Sequence, residues 1–177
     1  MFSPIHFVGR LLAITLAVAA LLGTGCAGYK LGPTNGMVAG SRSIQVNPFQ
    51  NLTMEPRLTD PVTSQVRKQL QQDGTYTLDT HNEGDVIVIG KLLEYRRFYL
   101  TFDPRDVVTP RDFRVQINAH ITVRERISGR VLIDRNVIGH TTVRSTQDLP
   151  NTERQALPLI TEDLARNITS AIVDGKW

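Results

Sequence analysis

The chain has 177 residues, 41% of them hydrophobic and 21% charged, with a formal net charge of +3 at pH 7. That length gives one ordinary domain a real core, and no internal repeat or low-complexity tract interrupts it. Charges of both signs are mixed and basic residues never run beyond pairs such as Arg96-Arg97, a pattern that excludes a nucleic-acid partner and leaves a slight basic excess suited to anionic headgroups.

Arg10 precedes a predominantly apolar run from Leu11 to Leu22, followed by Gly23-Thr24-Gly25-Cys26. As a helix the run rises only about 18 Å, short of the roughly 30 Å hydrocarbon core, so it fits a signal-peptide apolar region and not a membrane span. Cys26 is the sole cysteine, which rules out an internal disulfide. Its setting resembles a bacterial lipobox, with Gly23 where leucine is usual and Leu22 one position further back. The thiol would then carry a diacylglycerol and the new amino group a fatty acid such as palmitate. An ordinary secretory signal with an incidental thiol is the plainer alternative, but an exposed thiol in an oxidising compartment is a liability. Alanine after the cysteine favours sorting to the outer membrane. The expected divisions are a signal over 1–25, a lipidated N-terminus and tether over 26–43, and a domain over 44–177.

Ile44-Gln45-Val46 begins the first strand, which runs into Pro48-Phe49. Asp60-Pro61 predicts a helix start, with the carboxylate as cap. Leu58, Val62, Val66 and Leu70 then form one apolar stripe, and Asp73-Gly74 stops the helix. Tyr76–Leu78 is a short strand. Val86–Ile89 is apolar throughout, and its strand continues to about Leu100. Asp103–Asp112, with Pro104 and Pro110, predicts a long polar hairpin loop.

Phe113, Val115, Ile117, Ala119, Ile121 and Val123 alternate with Arg114, Gln116, Asn118, His120, Thr122 and Arg124, which predicts a strand with one wet face. Ser128-Gly129 turns it into Val131–Val143, where a slip in alternation at Arg135–Asn136 predicts a bulge. Thr152-Glu153-Arg154-Gln155 has the form of a capping box. Leu157, Ile160, Leu164, Ile168 and Ile172 share one helical face, and Pro158 either kinks that helix or moves its start to about residue 157.

The order β-α-β-β-β-β-α predicts an α+β two-layer sandwich, a mostly antiparallel sheet with two helices packed on one face. No catalytic constellation, phosphate loop or metal-ligand spacing emerges, so neither an enzyme nor a cofactor or metal site is expected. His120 and His140 are candidates to meet across the hairpin. Asp103, Asp106 and Asp112 share one loop, where intervening arginines favour salt bridges over calcium. Arg96, Arg97 and Arg114 are expected to gather beside that loop, where guanidinium forks suit the phosphates of lipopolysaccharide; a solvated rim is the plain alternative.

The Cys26-Ala27-Gly28-Tyr29 opening, Ile44–Phe49 with Asn51, Thr53, Glu55 and Pro56, the Gly84–Gly90 stretch and the Ser128–Leu132 hairpin together resemble the lipopolysaccharide-assembly lipoprotein family LptE. The resemblance implies a non-enzymatic role. Such a lipoprotein sits in the lumen of the LptD β-barrel, plugs it, supports its assembly and assists lipopolysaccharide transport from the periplasmic side of the outer membrane. Two other classes remain: a lipoprotein regulator of a periplasmic peptidoglycan synthase, which a tether of at most about 60 Å disfavours, and a periplasmic enzyme.

Overall fold

The computed structural model describes residues 39–103, 106–144 and 149–175. The segments expected to be the signal and most of the tether, with Cys26, lie outside the described residues, as do residues 104–105. The elements run β1 (Ser43–Val46), β2 (Gln50–Asn51), α1 (Thr59–Asp73), β3 (Thr77–Asp79), β4 (Val86–Asp103), β5 (Asp106–Glu125), β6 (Val131–Arg144) and α2 (Leu149–Val173). They form the expected α+β arrangement, two helices on a mixed, mostly antiparallel open sheet.

Sheet order is β3-β1-β4-β5-β6, with β2 also on β4. β1 runs parallel to both β3 and β4, while β4, β5 and β6 are antiparallel. The alternating row Phe113–Val123 of β5 is buried, together with Val86, Val88 and Leu92 of β4. Against these pack Val62, Val66 and Leu70 of α1 and Ile160, Leu164, Ile168 and Ile172 of α2. Each fully buried Leu or Ile side chain contributes about 1.5–3 kcal/mol, so these two apolar stripes fix the helices to one side of the sheet. Two glycines let the layers close. A Cβ at Gly90 would meet the Phe49 ring at 2.1 Å, and one at Gly139 would meet Leu164 Cβ at 2.5 Å.

Several local expectations are corrected. Where a polar loop over 103–112 was expected, the described residues are strand: β4 reaches Asp103 and β5 begins at Asp106. Val107, Val108 and Thr109 favour extended backbone. Pro110 is tolerated because, among the described residues, β6 ends opposite Asp112 and no strand flanks β5 on that side beyond it. Three register shifts between Tyr99 and Asp103 absorb the irregularity.

No bulge occurs at Arg135–Asn136, which pair in register with Ile121 and His120; the shift lies between Val123 and Arg124, beside the turn. The slip in hydrophobicity arises because Arg135 lies on the helix-side row yet is exposed. Asp60 is not a cap. The position before α1 is Leu58, which makes no side-chain capping bond, and Asp60 lies in the first turn, where its charge still suits the helix dipole. Likewise Thr152 lies within α2, not at its start, and Pro158 sits inside that helix, with the Thr161 hydroxyl donating to Leu157 O at 2.9 Å.

Candidate functional site

Because both helices cover one face, the opposite face of β4, β5 and β6 is open among the described residues. Its rows follow from the register: Arg114, Gln116, Asn118, His120 and Thr122 of β5 lie opposite Thr142, His140, Ile138, Asn136 and Asp134 of β6. Hydrogen bonds organise its centre. His120 places Nδ1 2.8 Å from Asn136 Oδ1 and Nε2 2.8 Å from Asp134 Oδ1, while the Thr122 hydroxyl donates to the same Asp134 oxygen at 2.9 Å. The Thr122 bond, with help from His120, holds the Asp134 carboxyl below its ordinary range. Beside this network, Asn118 Oδ1 is buried without a partner.

His120 and His140 do not meet. Their cross-strand neighbours are Asn136 and Gln116, four register positions apart, and the His140 main chain is engaged with Asp163. Asp112 is held by the Thr101 hydroxyl at 2.6 Å and approached by Arg144 at 3.5 Å, and the Thr101 bond is the main cause of its lowered pKa. Among the described residues no group of His, Cys, Asp or Glu is arranged to hold a metal ion.

The three arginines are only partly gathered. Arg96 lies opposite Gln116, Arg97 opposite Val115 and Phe98 opposite Arg114. Arg96 and Arg114 therefore share the open face on adjacent strands, whereas Arg97 belongs to the helix-side row. The cause is the register shift at Leu93, between Leu92 and Glu94, which inverts the facing of β4 from Glu94 to Tyr99. Arg96 also contacts Glu94 Oε1 at 2.5 Å on that face. Arg126, near the opposite end of the sheet, is structural: it donates to Gly84 O at 2.7 Å and to Gln45 Oε1 and Asn82 O.

Sequence patterning did not single out the exposed apolar residues of the distal β4–β5 ribbon, Phe98, Tyr99, Leu100 and Phe102, which are 39–56% exposed. The available signal is an apolar run that outlasts the helices able to cover it.

A sheet with one face packed against two helices and the other left accessible among the described residues offers a surface for binding. The LptE lipopolysaccharide-assembly family model matches residues 41–172, and the chain belongs to that family. No curated protein matches it. Among solved structures, the hypothetical protein CT253 from Chlamydia trachomatis is similar with a TM-score of 0.58 at 9% identity, over 78% of this chain and 98% of that one. Protein XCC0632 from Xanthomonas campestris gives 0.53 at 12% identity, over 82% and 89% of the two chains. A minor lipoprotein from Acinetobacter baumannii gives 0.50 at 15% identity, over 75% and 93%. At such identities the likeness is one of fold.

Proposed function

We propose that this LptE-family chain is an outer-membrane lipoprotein, acylated at Cys26, that docks inside an LptD-type β-barrel and assists lipopolysaccharide transport to the cell surface. The observation that carries this is the open face of β4, β5 and β6, predominantly polar on β5 and β6, hydrogen-bonded around His120 at its centre and covered by neither helix. Such a face matches the polar interior of a membrane barrel. Three acyl chains on Cys26, at about 0.8 kcal/mol per buried methylene, anchor the chain without a spanning segment. Arg96 and Arg114 on the same face supply phosphate-matching donors for lipopolysaccharide, and Arg97 serves the opposite side of the ribbon.

The test is purification of the full lipidated chain from outer membranes, followed by thiol labelling of Thr142→Cys on the open face and Arg154→Cys on α2. The reading requires a co-purifying large barrel, with Thr142→Cys shielded and Arg154→Cys still labelled. Recovery of no barrel would sink it, and equal labelling of both positions would overturn the docking face.

A further inference from the structure

We infer that the β5–β6 turn, with Ile127 at its tip, rests in the phospholipid surface that holds the acylated N-terminus; the inference rests on the Cys26 anchor proposed above. The turn is closed without any help from Ile127. Glu125 N–H donates to Arg130 O at 2.9 Å and Gly129 N–H to Glu125 O at 3.0 Å. The Ser128 hydroxyl donates to Glu125 Oε2 at 2.6 Å and accepts from Arg130 N–H at 3.2 Å. Gly129 takes the left-handed position, with a φ of 69°, where a side chain would be strained.

Ile127 takes part in none of these bonds and is 94% exposed, with Val131 at the foot of the turn 55% exposed. Turns draw Gly, Asn, Asp and Ser because each serves the backbone there. A β-branched apolar residue at the tip serves it in no such way, whereas removing that side chain from water contributes about 1.5–3 kcal/mol. A stable protein interface takes about 800 Å² of each partner, far more than one turn tip offers. A surface already held by an anchor needs no such area, because the second contact is made at high effective concentration.

The place where the chain enters the domain points the same way. Ile44 of β1 lies opposite Val86, Val86 opposite Glu125, and Arg124 opposite Val131. The start of β1 and the turn therefore share one end of the sheet. Arg42 Nη2 reaches Glu125 Oε1 at 3.2 Å, and Arg126 N–H donates to Asp85 O at 2.8 Å. Residues 26–42 reach at most about 60 Å even fully extended, and they are fastened at the end that carries Ile127. An anchor at Cys26 holds this end towards the bilayer.

Charge suits a lipid surface as well. Arg124, Arg126 and Arg130 flank the tip, with Glu125 as the one acid between them. Glu125 is taken up within the domain by Ser128, Arg42 and Arg130, and the Ser128 bond is the main cause that holds its carboxyl below the ordinary range. Asp85 is turned onto Ser43, and Glu83 of the neighbouring turn offsets one arginine. An apolar tip ringed by guanidinium groups fits the boundary between acyl chains and anionic headgroups, where the first is buried and the second meets phosphate.

The test reconstitutes the full lipidated chain in vesicles of phosphatidylethanolamine and phosphatidylglycerol that carry a lipid photoactivatable near the top of its acyl chain. After irradiation, trypsin releases residues 127–130 between Arg126 and Arg130, and residues 155–166, which hold Leu159, an exposed apolar residue of α2. The lipid adduct is expected on 127–130 and not on 155–166. Ile127→Asp should lower it about tenfold, and Ile127→Leu should keep it. An adduct absent from 127–130, equal on both segments or undiminished in Ile127→Asp would overturn the contact while leaving the anchor intact. An unacylated Cys26 in the N-terminal peptide would overturn anchor and contact together.

Discussion

Asn167 donates its side-chain amide to the carbonyl of Ile138 at 2.8 Å, tying α2 to the outward-facing edge of β6. Asp163, one helical turn earlier, takes the His140 N–H at 2.9 Å and is itself approached by Arg166 at 3.4 Å. Side chains from the helix thereby satisfy main-chain groups that would otherwise pair with another chain's strand. Replacing both, as Asp163→Ala with Asn167→Ala, is expected to cost about 1–3 kcal/mol for the two hydrogen bonds and to raise concentration-dependent association. Denaturant melts and sedimentation measure the two effects, and an unchanged association state would mean the edge needs no cap.

The tightest contact between layers gives a second prediction. Leu164 is fully buried, and Leu164→Ala is expected to cost about 2–5 kcal/mol. Gly139→Ala should also destabilise, by about 1–3 kcal/mol, because its new Cβ would lie 2.7 Å from the Leu164 backbone nitrogen. The double variant should show no rescue, since alanine at 164 retains the backbone and Cβ that clash. Gln116→Ala on the open face should change the denaturant midpoint little.

Much of this packing was legible in the chain. The Phe113–Val123 row, the Val62-Val66-Leu70 stripe and the Ile160–Ile172 stripe each follow from one period and one covered face. What escaped sequence reasoning was registration. A single extra residue at Leu93 sends Arg97 to the helix side while Arg96 and Arg114 share the open face, and nothing in Leu92-Leu93-Glu94 announces it. The strand over 106–112 was obscured by Pro110, whose turn preference is strong while an edge position that tolerates proline is visible only in three dimensions. Caps failed similarly, because Leu58 gains more from full burial than a polar residue there gains from capping.

A third prediction concerns acid. Asp85 Oδ2 accepts from Ser43 N–H at 2.9 Å and from the Ser43 hydroxyl at 2.8 Å, joining the starts of β1 and β4. The Ser43 main-chain bond, then the hydroxyl and the charges of Arg42 and Arg126, hold its carboxyl below the ordinary range. A carboxyl lowered in the folded state contributes stability that is full above its unfolded value, about 3.9, and is lost as pH falls through the folded one. Asp85→Asn should therefore lower stability at neutral pH, with the difference from the unaltered chain shrinking below about pH 4. Asp85 is solvent-exposed, so the neutral-pH loss should be modest. A gap that stays constant from pH 7 to pH 2 would show that the carboxylate charge contributes nothing.

The last prediction separates the arginines by face. On the open face, Arg96 and Arg114 are neighbours on adjacent strands, and Glu94 offsets part of the Arg96 charge. Reversing both, as Arg96→Glu with Arg114→Glu, replaces the proposed attraction to lipopolysaccharide phosphates by repulsion at close range and should weaken binding of purified lipopolysaccharide about tenfold or more. Arg97→Glu acts on the other side of the ribbon, in the groove beside Met54. It should leave lipopolysaccharide binding near its original level, with the denaturant midpoint of each preparation checking that folding is unchanged. Loss of lipopolysaccharide binding by Arg97→Glu alone would show that the ligand sits on the groove side, and unchanged binding in all three substitutions would remove arginine from its recognition.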